Sequence, residues 1–153
     1  MHFRPVILNR RRDQMPSGDF ELDPKLAAET HAAGELPLAR VLLFDDARFP
    51  WLVLVPRRRG LVEITDLPAE DRHRLLDEIG TAMDVLQAIS SPHKLNVAAL
   101  GNSVRQLHVH VIARFETDAA WPLPVWGRGE RVPYGPNARA ELLRKLRQGF
   151  GFR

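Results

Sequence analysis

One amphipathic helix set between two pairs of strand-like runs is the feature that most restricts how this chain can fold. In "TDLPAEDRHRLLDEIGTAMDVLQAIS", residues 65–90, Leu75, Ile79, Ala82, Leu86 and Ile89 recur at helical spacing, and Leu76 and Met83 widen the stripe. Asp66 is the expected N-cap and Pro68 lies in the first turn. Glu70 and Asp71 follow where the helix dipole favours acids, and Pro92 stops the run. Before it, residues 38–44 and 51–55 are Val- and Leu-rich runs separated by six polar or turn-prone residues, the pattern of a β-hairpin with a longish loop. After it, "KLNVAAL" (94–100) and "QLHVHVIARF" (106–115) are joined by the turn "GNSVR". Strands in hairpin order around one long helix predict an α+β fold, an antiparallel β-sheet with one long helix and shorter flanking helices.

Two flanking helices are expected. Asp23 caps the first, with Pro24 at its first position and Gly34 just past its end. The last lies near 137–148, beyond an irregular stretch that carries Trp121, Pro122, Pro124 and Trp126. Residues 1–18 read as a basic extension, with Met15 as an alternative beginning, and residues 19–153 as one domain. The Arg-rich, acid-poor start has a faint look of a transit peptide, but a reducing, cytoplasmic setting is the expectation.

The net charge of +3 is local. Arg4, Arg10, Arg11 and Arg12 against the single Asp13 account for all of it, and acids balance bases in the remainder. A nucleic-acid-binding face would show a surplus there, so no nucleic-acid partner is expected. With no cysteine, disulfides and thiolate metal sites are excluded. No apolar stretch approaches the length of a membrane span, and no membrane partner is expected.

The chemistry concentrates in "SVRQLHVHVIARF", residues 103–115. Along a strand, alternate side chains share a face, so Gln106, His108 and His110 point one way and Leu107, Val109 and Val111 the other. Three readings of the histidines compete. They are half-exposed strand residues, or part of a metal site, or one is a nucleophile that neighbouring polar groups orient. The metal reading is the weakest, because His2, His31, His73 and His93 are scattered and no third ligand has a partnered spacing.

"GNSVRQLHVHVIAR" resembles the signature of the histidine triad (HIT) superfamily, His-φ-His-φ-His-φ-φ after a Gly-Gln-Ser-Val-like turn. "LLFDDARFPWLVLVPRR", "EITDLPAEDRHRLL" and "KLNVAALGNSV" are similar to the family's preceding segments, in order, over about residues 35 to 115. Gln106 stands where the family has its first histidine; it cannot titrate, which puts proton transfer there in doubt. The resemblance implies His108 as nucleophile toward the α-phosphorus of a nucleotide, with His110 and Gln106 hydrogen-bonding phosphate oxygens or the bridging atom. It also implies that Asn102 and Ser103 hold phosphate, that Asn96 reaches phosphate or ribose, and that Asp45, or Asp46, binds ribose. A homodimer, a purine preference and no cofactor or metal complete the expectation.

Other residues carry weaker signals. Arg57, Arg58 and Arg59 read as a solvated turn rather than a polyphosphate guide. Phe49 and Trp51 read as core or base-pocket wall, and Trp121 and Trp126 as candidates for the leaving-group side. Two other classes stay open: a nucleotide-binding module without turnover, and a metal-dependent protein built on His108 and His110.

Overall fold

The computed structural model describes residues 20–153, so the basic extension 1–18 lies outside the described residues. Five strands form one antiparallel sheet in the order β1-β2-β3-β5-β4: β1 Thr30–Glu35, β2 Ala39–Phe44, β3 Trp51–Pro56, β4 Lys94–Ala98 and β5 Val109–Arg114. The helices are α1 Pro24–Glu29, α2 Ala69–Ser90 and α3 Pro136–Phe150. The α+β expectation holds, with one strand more than the sequence reading counted.

That additional strand is a correction. The expected first helix was to run to Gly34, but it ends at Glu29, and Thr30–Glu35 pairs with β2. Thr30 turns the chain: its hydroxyl donates to the Leu26 carbonyl at 2.6 Å while its backbone is already extended. Pairing with β2 overrides the helical propensity of the two alanines, a contest that tertiary context commonly wins. Gly34 is no helix cap. The Phe152 ring lies where its Cβ would be, so only glycine admits that approach.

Asp66 does not cap α2 either. Its carboxylate accepts the N–H groups of Val62 and Glu63 at 3.1 and 2.9 Å, bracing a 3-10 turn at Ile64–Asp66, and α2 starts after Pro68. The helix ends at Ser91 in the left-handed region, immediately before Pro92.

The sheet separates two apolar layers. On one side Leu43, Leu52, Leu54, Val109 and Val111 pack against Leu75, Ile79, Ala82 and Leu86 of α2, with Leu146 of α3 beside them. On the other side Leu42, Val53, Val55 and Ile112 meet Leu26 of α1, Phe49, Trp51, and Val125 from the irregular stretch after β5. Each layer follows the two-residue alternation of the strands. Glu78 fastens the first layer. From within α2 its buried carboxylate accepts the N–H groups of Leu38 and Ala39 at 2.7 and 2.8 Å.

The irregular stretch is held onto the second layer by buried ions. Arg114, at the end of β5, forms a two-pronged bond to Asp118 and also reaches the Asn96 side chain and the Leu123 carbonyl. Both members of the pair have side chains only 2% exposed. Burial alone would raise the Asp118 pKa, but the Arg114 guanidinium and the N–H groups of Phe115 and Ala120 win, drawing it down to about 2. Asp46 pairs with Arg48 and accepts the N–H of Val132, and it too is held below the usual carboxylate range against the opposing effect of its burial.

Candidate active site

Both histidines sit where β5 begins, on the second layer. The strand starts at Val109, later than the expected start at Gln106, so His108 stands just ahead of it. The Leu107 N–H bonds to the Leu61 carbonyl at 3.0 Å and pins the approach. From there alternation does what the pattern predicts: Val109 and Val111 face α2, and His110 faces the other way. The His108 and His110 rings meet edge to face, centroids 4.9 Å apart, and both residues are buried, at 7% and 6% exposure.

Each ring has its hydrogen placed by a neighbour that can play only one role. The Gln106 backbone carbonyl lies 2.6 Å from His108 Nδ1. A carbonyl only accepts, so Nδ1 carries the hydrogen and Nε2 presents its lone pair. The indole Nε1–H of Trp51 lies 3.0 Å from His110 Nδ1. An indole only donates, so His110 accepts there and carries its hydrogen on Nε2. The two rings are therefore opposite tautomers: His108 offers a nucleophilic nitrogen and His110 an N–H donor. Burial, followed by the nearness of His108, depresses the His110 pKa from 6.5 to about 3, so His110 stays neutral near pH 7.

A cavity of about 290 Å³ opens on these rings. One end of it is the Gly101–Ser103 turn, where Gly101 adopts a left-handed φ of 69° that favours glycine. Its other end is aromatic. Phe44 stacks on Trp51 at 4.3 Å, and Trp126 stands edge-on to both Trp51 and His110 at 5.6 and 5.2 Å. Lys25, Leu26 and Glu29 of α1 close a further side. A second, smaller hollow of about 180 Å³ lies beside His108, lined by Val62–Thr65 and Ala99–Gly101.

The structure thus brings together four of the residues picked out in the sequence: His108, His110, Asn102 and Ser103 all line the cavity. Gln106, Asn96, Asp45 and its alternative Asp46 lie outside its lining. The Gln106 amide accepts the Asp23 N–H at 2.9 Å and donates to the Glu21 carbonyl at 2.8 Å, so its side chain is bound to the segment before α1. Asn96 accepts from Arg114 at 2.9 Å. Asp45 accepts the Tyr134 N–H at 2.9 Å and lies 3.3 Å from His31 Nε2. Asp46 is 1% exposed in its pair with Arg48.

The arginine run is divided. Arg57 bonds the Leu36 and Pro37 carbonyls, Arg58 pairs with Asp71, and none of the three lines the cavity. Trp121 stands edge-on to His93, away from the cavity lining, while Trp126 is a wall of it. Sequence reasoning missed Lys25, Leu26 and Glu29, because nothing local links a short helix to a turn some eighty residues later. It could have found the Trp51 contact, since Trp51 opens the strand that pairs with β5.

Comparison with known proteins agrees with this fold. The HIT domain model matches residues 25–117. This chain belongs to the histidine triad family. It is similar to a solved histidine triad protein from Bradyrhizobium japonicum, with 44% identity and a TM-score of 0.84, covering 86% of this chain and 98% of that one. A histidine triad protein from Marinobacter aquaeolei VT8 gives 45% identity and 0.85, covering 88% and 98%. One from Sinorhizobium meliloti 1021 gives 38% and 0.83, covering 85% and 96%. No curated protein matches the chain. HIT proteins are in general nucleotide-binding hydrolases and transferases. Among the described residues no cluster of three or more His, Cys, Asp or Glu side chains is placed to hold a metal ion, and no helix is long and apolar enough to cross a membrane.

Proposed function

We propose that this HIT protein cleaves nucleotides at the α-phosphate, as a hydrolase or nucleotidyl transferase, through a covalent intermediate on His108. The observation that carries the reading is the pairing of opposite tautomers, a free Nε2 on His108 beside an N–H donor on His110, at the mouth of one cavity. In the first step the His108 Nε2 lone pair forms an N–P bond as the bond from phosphorus to the leaving group breaks, its electron pair going with that group. Water then attacks phosphorus, the N–P pair returns to Nε2, one of the water's protons stays on the phosphate and the other passes to solvent, from which the departed leaving group takes up its proton. The sum is nucleotide plus water to nucleoside monophosphate plus the protonated leaving group.

His110 Nε2–H, the Ser103 hydroxyl, Asn102 and the backbone N–H groups of the turn would bind the phosphate oxygens as charge develops. Phe44, Trp51 and Trp126 offer aromatic faces to the base, and purine is preferred on the family resemblance. Asp45 and Asn96 would reach the ribose or phosphate only by exchanging the bonds they make to Tyr134 and Arg114. Dinucleoside polyphosphates and nucleoside phosphoramidates are the substrate classes. Since Gln106 does not titrate and His110 is neutral, leaving groups that depart as stable anions suit this site better than amines, which must gain a proton.

A homodimer belongs to the same proposal. Among the described residues β4 is an edge strand of the sheet, and Val97 and Leu100 are exposed there with Ile64 beside Leu100. Sedimentation of the wild type against Val97→Asp tests it.

The catalytic reading is tested by intact mass after brief incubation with adenosine phosphoramidate and diadenosine polyphosphates. An added AMP that disappears in His108→Ala is expected. Nucleotide binding with neither adduct nor AMP release would replace the enzyme with a binding module. That second reading draws on Gln106, whose side chain is committed to the N-terminal segment, and gain of turnover in Gln106→His would speak for it.

A further inference from the structure

A site for phosphate chains must balance negative charge, and the two histidines bring it no fixed positive charge. Among the described residues lining the cavity, Lys25 is the one lysine or arginine. It is the second residue of α1, and its Nζ lies 2.7 Å from Ser103 Oγ. An ammonium only donates, so Ser103 accepts from it and keeps its own hydrogen for another acceptor. Lys25 therefore does two things at once: it puts a charge beside the turn and aims the Ser103 hydroxyl. The fixed anion of the lining, Glu29, stands at the opposite end of the same short helix.

Lys25 is held by a chain of bonds that starts at Gln106. The Gln106 amide clasps the backbone of Glu21 and Asp23 with a donor and an acceptor, at 2.8 and 2.9 Å. The Asp23 carboxylate in turn accepts the Lys25 N–H at 2.8 Å and caps α1. A glutamine can make this two-sided contact with a main chain because it carries both roles on one group.

On the nucleotidyl-transfer reading above, we infer that Lys25 is the phosphate-binding cation of this site, and that Gln106 is a positioning residue that holds α1 so that Lys25 overhangs the Asn102–Ser103 turn. The ligand class is a nucleotide with a multiply charged phosphate group. The lysine is exposed, so salt screens part of its attraction, and an effect of about tenfold on phosphate affinity is expected from one charged hydrogen bond.

Calorimetric titration with AMP and with adenosine, across wild type, Lys25→Met, Lys25→Arg, Gln106→Ala and the Lys25→Met/Gln106→Ala double variant, tests this. Lys25→Met should weaken AMP about tenfold and leave adenosine unchanged, and Lys25→Arg should recover most of the loss. Gln106→Ala should shift AMP in the same direction, and the double variant should be no weaker than Lys25→Met alone. During turnover, Lys25→Met should raise KM more than it lowers kcat. Equal loss of AMP and adenosine, or wild-type affinity in Lys25→Met, would overturn the cation. Additive losses in the double variant would overturn the clasp. A wild type that binds AMP no better than adenosine and forms no adduct would strike the nucleotidyl reading itself, which separates the two failures.

Discussion

Trp51→Phe is the perturbation that bears most directly on how the site is set. The indole N–H of Trp51 assigns the His110 tautomer, and phenylalanine keeps an aromatic ring in the layer while deleting that donor. Two costs follow. A buried acceptor, His110 Nδ1, loses its partner, worth about 1–3 kcal/mol. The smaller ring also loses part of the contact with Phe44 and Trp126, worth about 1–2 kcal/mol as a large-to-small change in a packed layer. Together these should remove about 2–5 kcal/mol in urea denaturation. The sharper readout is long-range nitrogen NMR of histidine-labelled protein. In the wild type His108 should report Nδ1–H and His110 Nε2–H; in Trp51→Phe the His110 signal should become a mixture while His108 is unchanged. If the wild type shows the same tautomer in both rings, or if Trp51→Phe leaves both the His110 signal and the stability as they were, the reasoning is refuted.

The remaining expectations concern acid, salt and close packing. The His110 pKa is lower folded than unfolded, so the unfolded chain takes up the extra proton; stability is complete above about pH 6.5 and falls toward pH 3, by at most about 1.4 kcal/mol per unit. Denaturation across that range should show the slope, and His110→Gln should flatten it. Asp118→Asn, which leaves the Arg114 guanidinium buried without its counter-charge, should cost about 3–5 kcal/mol and lower Tm. Salt should not mimic that loss, since a pair buried this deeply is poorly screened. Gly34→Ala should cost about 1–3 kcal/mol, because its methyl would enter the Phe152 ring; an unchanged Tm would mean that the ring swings aside freely.

What could be read in the sequence and what could not divides by the range of the interactions. The apolar stripe of α2, the Val- and Leu-rich runs of β2 and β3 and the alternation of β5 are local patterns with one dominant partner, the core, and they predicted their elements. Thr30–Glu35 failed as a helix because its alanines carry no pattern that opposes one, while the pairing that makes it a strand comes from Arg40–Phe44. Asp66 failed as a cap because two N–H groups behind it, at Val62 and Glu63, compete for its carboxylate. In the site, the His108 and His110 pair was legible from the spacing of two histidines along a strand, and the Asn102–Ser103 turn through the family resemblance; all four residues line the cavity. The partners of Gln106, Asp45 and Asn96 were not. Each binds a segment remote in sequence, Glu21–Asp23, Tyr134 or Arg114, and no periodicity encodes those meetings.

The group that readies His108 is a main-chain oxygen, and this divides position 106 into two inheritances. Its carbonyl is common to every amino acid, so the lone pair on His108 survives any replacement there that keeps the local backbone path. On the proposed mechanism, its side chain is free to vary without disarming the attacking nitrogen. A residue type can therefore be exchanged at this point in a lineage, trading one task for another, while the His108 Nε2 lone pair two residues away stays in place.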